Sequence, residues 1–128
     1  MPIQASVGDG GVNHRGDALY VQFLLNDWRS QNGLTPIAVD GLVGPETIAA
    51  IQLFQLQVTK IVDGRVDPAG PALQNLERLH MGVILDGIQL SAFQAGIGAI
   101  GALPANSPAI TLDDAVALYF QTLRDNMD

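Results

Sequence analysis

The chain has 128 residues, with 6 Lys+Arg against 13 Asp+Glu, no Cys, 14 Gly and 7 Pro. That length holds one domain, or one small domain with an appendage, and 48% hydrophobic against 15% charged residues argues against disorder. A net charge of −7 argues against a grip on nucleic-acid phosphates, and zero Cys excludes disulfide scaffolds, zinc knuckles and cysteine nucleophiles.

Met1-Pro2-Ile3-Gln4-Ala5 lacks the basic and apolar regions of a secretory leader, so the chain is expected to be cytoplasmic as synthesised. Action at the wall or in the periplasm would then need a specialised export route or lysis. Ala5 to Gly16 is rich in Gly, Asp and Asn and reads as an irregular lead-in. Asp17 is a good N-cap for a helix running to Gln31, stopped by Gly33, with Ala18, Val21, Leu24, Leu25 and Trp28 forming its apolar stripe. A loop with Pro36 and Asp40-Gly41 leads to Pro45, which suits the first position of a second helix continuing to Val58. Ile48, Ala50, Ile51, Phe54 and Val58 supply that helix's buried face. A third helix begins between Pro68 and Pro71 and carries Leu73, Leu76 and Leu79.

The two loops repeat. Val39-Asp40-Gly41-Leu42-Val43-Gly44-Pro45 aligns with Val62-Asp63-Gly64-Arg65-Val66-Asp67-Pro68, each a Val-Asp-Gly turn, a Val and a Pro opening a helix. Two turn-helix units related by a pseudo-twofold and sharing one core explain such a pattern. Beyond His80 the character changes. Asp86 is the one charged residue between 81 and 112, and Gly82, Gly87, Gly96, Gly98 and Gly101 interrupt an apolar run. A last helix is expected from Thr111, with Leu112, Val116, Tyr119 and Leu123 on its apolar face and Arg124 at the negative end of its dipole.

Val12 to Leu79 resembles the peptidoglycan-binding domain family that accompanies bacterial cell-wall hydrolases. The resemblance is carried by Asp17-Ala18-x-x-Val21-Gln22-x-x-Leu25 and by Val39-Asp40-Gly41-x-Val43-Gly44-Pro45-x-Thr47-x-x-Ala50-Ile51-x-x-Phe54-Gln55. Val62-Asp63-Gly64-x-Val66-Asp67-Pro68, followed by Leu73-x-x-Leu76, completes it. It implies an all-α three-helix module over residues 1–79 that holds glycan or stem peptide in a shallow groove and leaves catalysis to a partner. Residues 80–128 are expected to form a helical C-terminal extension. The groove is expected to be lined by Asp40, Gly41, Thr47, Gln55, Asp63 and Arg65, with Arg65 as a carboxylate partner. With Trp28 and Phe54 on core faces, glycan stacking falls to Tyr20 or Phe23 on the other side of the first helix.

The residues offer little for catalysis. His14 and His80 stand apart from any metal-ligand spacing, in the lead-in and after the third helix, so no metal or cofactor is expected. Glu46 and Glu77 are the only glutamates, and Asp40, Asp63 and Asp67 have turn roles, which leaves a poor carboxylate pair for glycoside hydrolysis. Asp63-x-x-x-Asp67 lacks the ligand series of a calcium loop. Gly96-Ile97-Gly98-Ala99-Ile100-Gly101 matches a dinucleotide fingerprint in letters but has no strand-helix-strand context, and Pro104 and Pro108 follow it. The sequence therefore points to a non-catalytic cell-wall binding module, acting alone or for an associated hydrolase or effector. The alternative is an adaptor of a secretion or effector system that binds a protein through its apolar extension, with Ile84, Leu85, Ile88, Phe93, Tyr119 and Leu123 as contacts.

Overall fold

The structure, a computed structural model, describes residues 3–87 and 112–127. These residues are mostly helical, with four α-helices and one small two-stranded sheet. In chain order they form β1 (Val7–Gly8), α1 (Arg15–Gln31), α2 (Pro45–Phe54) continued by a π-helical turn (Gln55–Thr59), β2 (Arg65–Val66), α3 (Pro71–Gly87) and α4 (Leu112–Asp125). One core joins them. Val21, Leu24, Leu25 and Trp28 of α1 meet Ile51 and Phe54 of α2 and Leu73 and Leu76 of α3, all buried. The Trp28 and Phe54 rings meet edge to face at 5.0 Å, a favourable aromatic geometry.

The lead-in is more ordered in its contacts than its composition suggests. β1 pairs antiparallel with β2, Val7 opposite Val66 and Gly8 opposite Arg65, and Ile3 and Val7 are fully buried. The chain reverses after β1 through Gly10 and Asn13, both at positive φ. Asn13 is held by its own side chain, whose Oδ1 accepts from the Gly8 N–H at 2.7 Å.

Asp17 does not cap α1. The helix starts three residues earlier than that cap implies, with His14 at the cap position, and Asp17 lies in the first turn with no exposed surface. Its carboxylate accepts the Gln4 N–H at 3.2 Å, the Ala5 N–H at 3.1 Å and the Arg124 Nε–H at 2.8 Å. Arg124 lies in the last turn of α4 as expected, and it is also the buried partner of this carboxylate. The pair ties the lead-in, α1 and α4 together, and the first turn of α1 adds favourable helix-dipole charge around Asp17.

α2 ends as an α-helix at Phe54, and the π-helical turn carries the chain on to Thr59, one residue past the expected Val58. Lys60, at φ 66, closes that turn with its N–H on the Gln55 carbonyl. α3 begins at Pro71 but runs well beyond Leu79, so the expected boundary at 79/80 falls inside a continuous helix and His80 lies within it. The His80 ring is buried between α1 and α4, with Nδ1 at 2.7 Å from Asp27 Oδ2, Nε2 at 2.8 Å from the Tyr119 hydroxyl, and the Phe23 ring edge-on. The expected Thr111 cap and the Gly96–Gly101 stretch lie outside the described residues.

Tyr20 and Phe23 do not form a free aromatic face. Tyr20 is fully buried with its hydroxyl donating to Glu77 of α3, and Phe23 is half-buried against His80. α1 is covered on this side because α3 and α4 both pack on it.

The Arg124→Leu variant leaves the Asp17 carboxylate buried without its cation and should lose about 3 kcal/mol of unfolding free energy, read by urea denaturation. Burial raises the Glu77 pKa above its usual 4.5 despite the hydrogen bond from Tyr20, which lowers it. The folded chain then holds this proton more tightly than the unfolded chain. The resulting stability is complete below about pH 4.5 and is lost as pH rises through the folded-state value. Glu77→Gln keeps an acceptor for the Tyr20 hydroxyl, so thermal melts should show higher stability than wild type at pH 7 and a flatter profile between pH 4.5 and 7.

Candidate functional site

The two Val-Asp-Gly loops are built alike, each around one buried glutamine. In the first, the Gln22 Oε1 accepts the Asp40 and Gly41 N–H groups at 3.1 and 2.9 Å, while its Nε2 donates to the Leu42 carbonyl at 3.0 Å and Asp40 Oδ1 at 3.3 Å. In the second, the Gln55 Oε1 accepts the Asp63 and Gly64 N–H groups at 3.1 and 2.8 Å, while its Nε2 donates to the Arg65 carbonyl at 3.0 Å and Asp63 Oδ1 at 2.8 Å. Each aspartate also accepts the N–H two residues on, Leu42 at 2.9 Å and Arg65 at 3.0 Å, which closes an Asx-type turn. The glycines sit at φ 76 and φ 72, where a side chain is strained. A primary amide is the one uncharged side chain with both two donors and an acceptor, so glutamine satisfies a whole turn from a single buried position.

The electrostatics follow from these bonds. The Leu42 N–H, supported by the Gln22 amide, holds the Asp40 carboxyl below the usual carboxylate range, and the Gln55 amide with the Arg65 N–H does the same for Asp63. In the first turn the amide of Gln22 also reaches Thr47 Oγ1 at 3.1 Å, and Arg15 Nη1 donates to the Asp40 carbonyl at 2.8 Å. In the second, Arg65 pairs with Asp67 at 3.0 Å.

A cleft of about 300 Å³ lies on the first turn, where it runs into α2. Ala38, Leu42, Gly44 and Pro45 line it together with Asp40, Glu46 and Thr47. Glu46 braces one wall, its Oε1 accepting the Ala38 N–H at 3.0 Å. Leu42 is 69% exposed at the cleft, a large apolar side chain left to solvent.

The residues expected to line a groove are thus divided. Asp40 and Thr47 belong to the cleft, whereas Gln55, Asp63 and Arg65 belong to the second turn and do not line it. Gly41, Thr47 and Gln55 are buried, and their roles in the turns are structural. Gln22 was not among the expected residues, yet it is fully buried and organises the cleft's turn. Its signal is an amide on an apolar stripe. Gln22 follows Ala18 by four positions and precedes Leu25 by three, as Gln55 does Ile51 and Val58.

Of the residues expected to meet a protein partner, Tyr119 stacks on His80 and Leu123 packs against the core. Ile84 and Leu85 lie in α3, and Ile88 and Phe93 lie outside the described residues. Among the described residues no three His, Asp or Glu side chains converge on a metal position. No helix among them is long and apolar enough to cross a membrane. Comparison with protein-family models, with curated proteins and with solved structures finds no match to this chain.

Gln22→Ala and Gln55→Ala each strand buried turn amides and a carbonyl, so each should cost about 3 kcal/mol in chemical denaturation. Gln57→Ala, at an exposed position two residues from Gln55, should change stability by less than about 0.5 kcal/mol.

Proposed function

We propose that this chain is a non-catalytic binding module for bacterial cell-wall peptidoglycan, which brings itself or an associated hydrolase or effector to the wall. The observation that carries the reading is the cleft on the first stapled turn. Apart from Ala38, its lining residues belong to the Val39–Gln55 segment that carries the resemblance to the peptidoglycan-binding family. Its volume is at the small end of ligand sites, suited to one sugar or a few residues of peptide. Its walls are fixed before any ligand arrives, because Gln22 and Glu46 hold the backbone from both sides. Preformed walls lower the ordering cost of binding.

A catalytic role is not assigned. Both carboxylates of the cleft are engaged in holding backbone N–H groups, Asp40 that of Leu42 and Glu46 that of Ala38.

Sedimentation with purified, protein-free sacculi tests the reading. Wild-type protein is expected to pellet with the wall, and Leu42→Ala, which removes exposed apolar surface without touching the core, should reduce pelleting several-fold. Arg65→Ala tests whether contact extends to the second turn. Absence of wild-type pelleting would remove the wall as ligand.

A further inference from the structure

The two turns are alike in their staples but not in what lies beside them. On the second, β1 of the lead-in runs antiparallel along the backbone: Val7 faces Val66, Gly8 faces Arg65, and the Asp9 N–H donates to the Gly64 carbonyl at 2.9 Å. The repeat places Gly41, Leu42 and Val43 where the second turn has Gly64, Arg65 and Val66. The surroundings agree with that alignment. Arg15 and Ile48 each stand seven residues before their glutamine, and each places a side-chain atom against its glycine, Ile48 together with Gln52 at Gly64.

Among the described residues no strand takes the place of β1 on the first turn, where the Arg15 side chain lies against Gly41. The Gly41 carbonyl and the Val43 N–H and carbonyl have no hydrogen-bond partner among the described residues, while the Leu42 N–H and carbonyl are taken up by Asp40 and Gln22, as those of Arg65 are by Asp63 and Gln55. An extended edge with unpaired backbone groups is a template for strand addition. β1 also shows what such a strand must be. Gly8 has φ 125, and an L-configured Cβ there would come within 2.1 Å of the Gly64 carbonyl oxygen. The residue facing that position is therefore glycine or a D-amino acid, whose backbone takes positive φ without strain and whose side chain leaves from the other face of Cα.

We infer that the Gly41–Val43 edge binds a short extended peptide by antiparallel backbone pairing, with a D-residue opposite Leu42. This rests on the wall-binding reading and names the peptide stem, with its D-residues, as the part of the wall that is held.

The test is amide hydrogen exchange of the full chain by NMR, with acetyl-L-Lys–D-Ala–D-Ala and its all-L counterpart as probes. The D-containing peptide should slow exchange of the Val43 N–H about tenfold at a concentration ten times its Kd and leave the Val66 N–H unchanged. The all-L peptide should slow neither. Equal slowing by both peptides would overturn the selectivity. Slowing that grows with protein concentration and needs no peptide would assign the edge to a second copy and overturn the inference. Wild type that pellets with sacculi while the peptide leaves Val43 unaffected would refute peptide pairing and leave the wall reading standing. If the wild type neither pellets nor responds, both fall.

Discussion

The placement of one buried amide beside each Asp-Gly turn is the constraint on which the rest of this structure depends. A turn that leads from one helix to the next exposes backbone N–H and carbonyl groups just where the core must close. Leaving them unpaired in a buried place costs more than most single packing contacts return. Gln22 and Gln55 meet that demand from the preceding helix, so the turn and the helix are fixed relative to each other. The direction of α2, and with it the cleft at its start, follows from the first staple. The approach of α3 follows from the second.

The repeat is broken by the lead-in, and the break gives the two turns different fates. β1 covers the second turn and buries Ile3 and Val7 in the shared core. Asp17 anchors the same lead-in through the Gln4 and Ala5 amides and holds α4 through Arg124, so both ends of the chain meet at one buried carboxylate. Among the described residues the first turn has no such strand, and it keeps an open cleft and an unpaired edge. Of two equivalent positions, one is covered by a strand and, among the described residues, the other is not.

Much of this architecture was legible in the sequence. Helical periodicity located α1, α2 and the start of α3, and the repeated Val-Asp-Gly spacing located both turns. What periodicity could not supply was long-range pairing. The bond between Asp17 and Arg124 spans 107 positions, and nothing local marks Asp17 as a buried ion rather than a cap. One apolar stripe does not reveal that Tyr20 is buried, because α2, α3 and α4 all pack on the first helix. The residues expected to line one groove divide between the two turns, Asp40 and Thr47 at the cleft and Gln55, Asp63 and Arg65 at the second turn. Thr47 and Gln55 are polar residues beside a turn, which is equally the pattern of a ligand contact and of a buried staple. The spacing of Gln22 and Gln55 on their apolar stripes separates the two.

The most direct test of this arrangement is native-state hydrogen exchange at the Gly41 and Gly64 amides of the unliganded chain. Both N–H groups are buried and accepted by a glutamine, so both are expected to exchange only through large-scale opening, with protection close to that of the slowest core amides of α1. Exchange of either glycine amide at the rate of an exposed loop would show that the glutamine does not hold its turn, and would contradict the account.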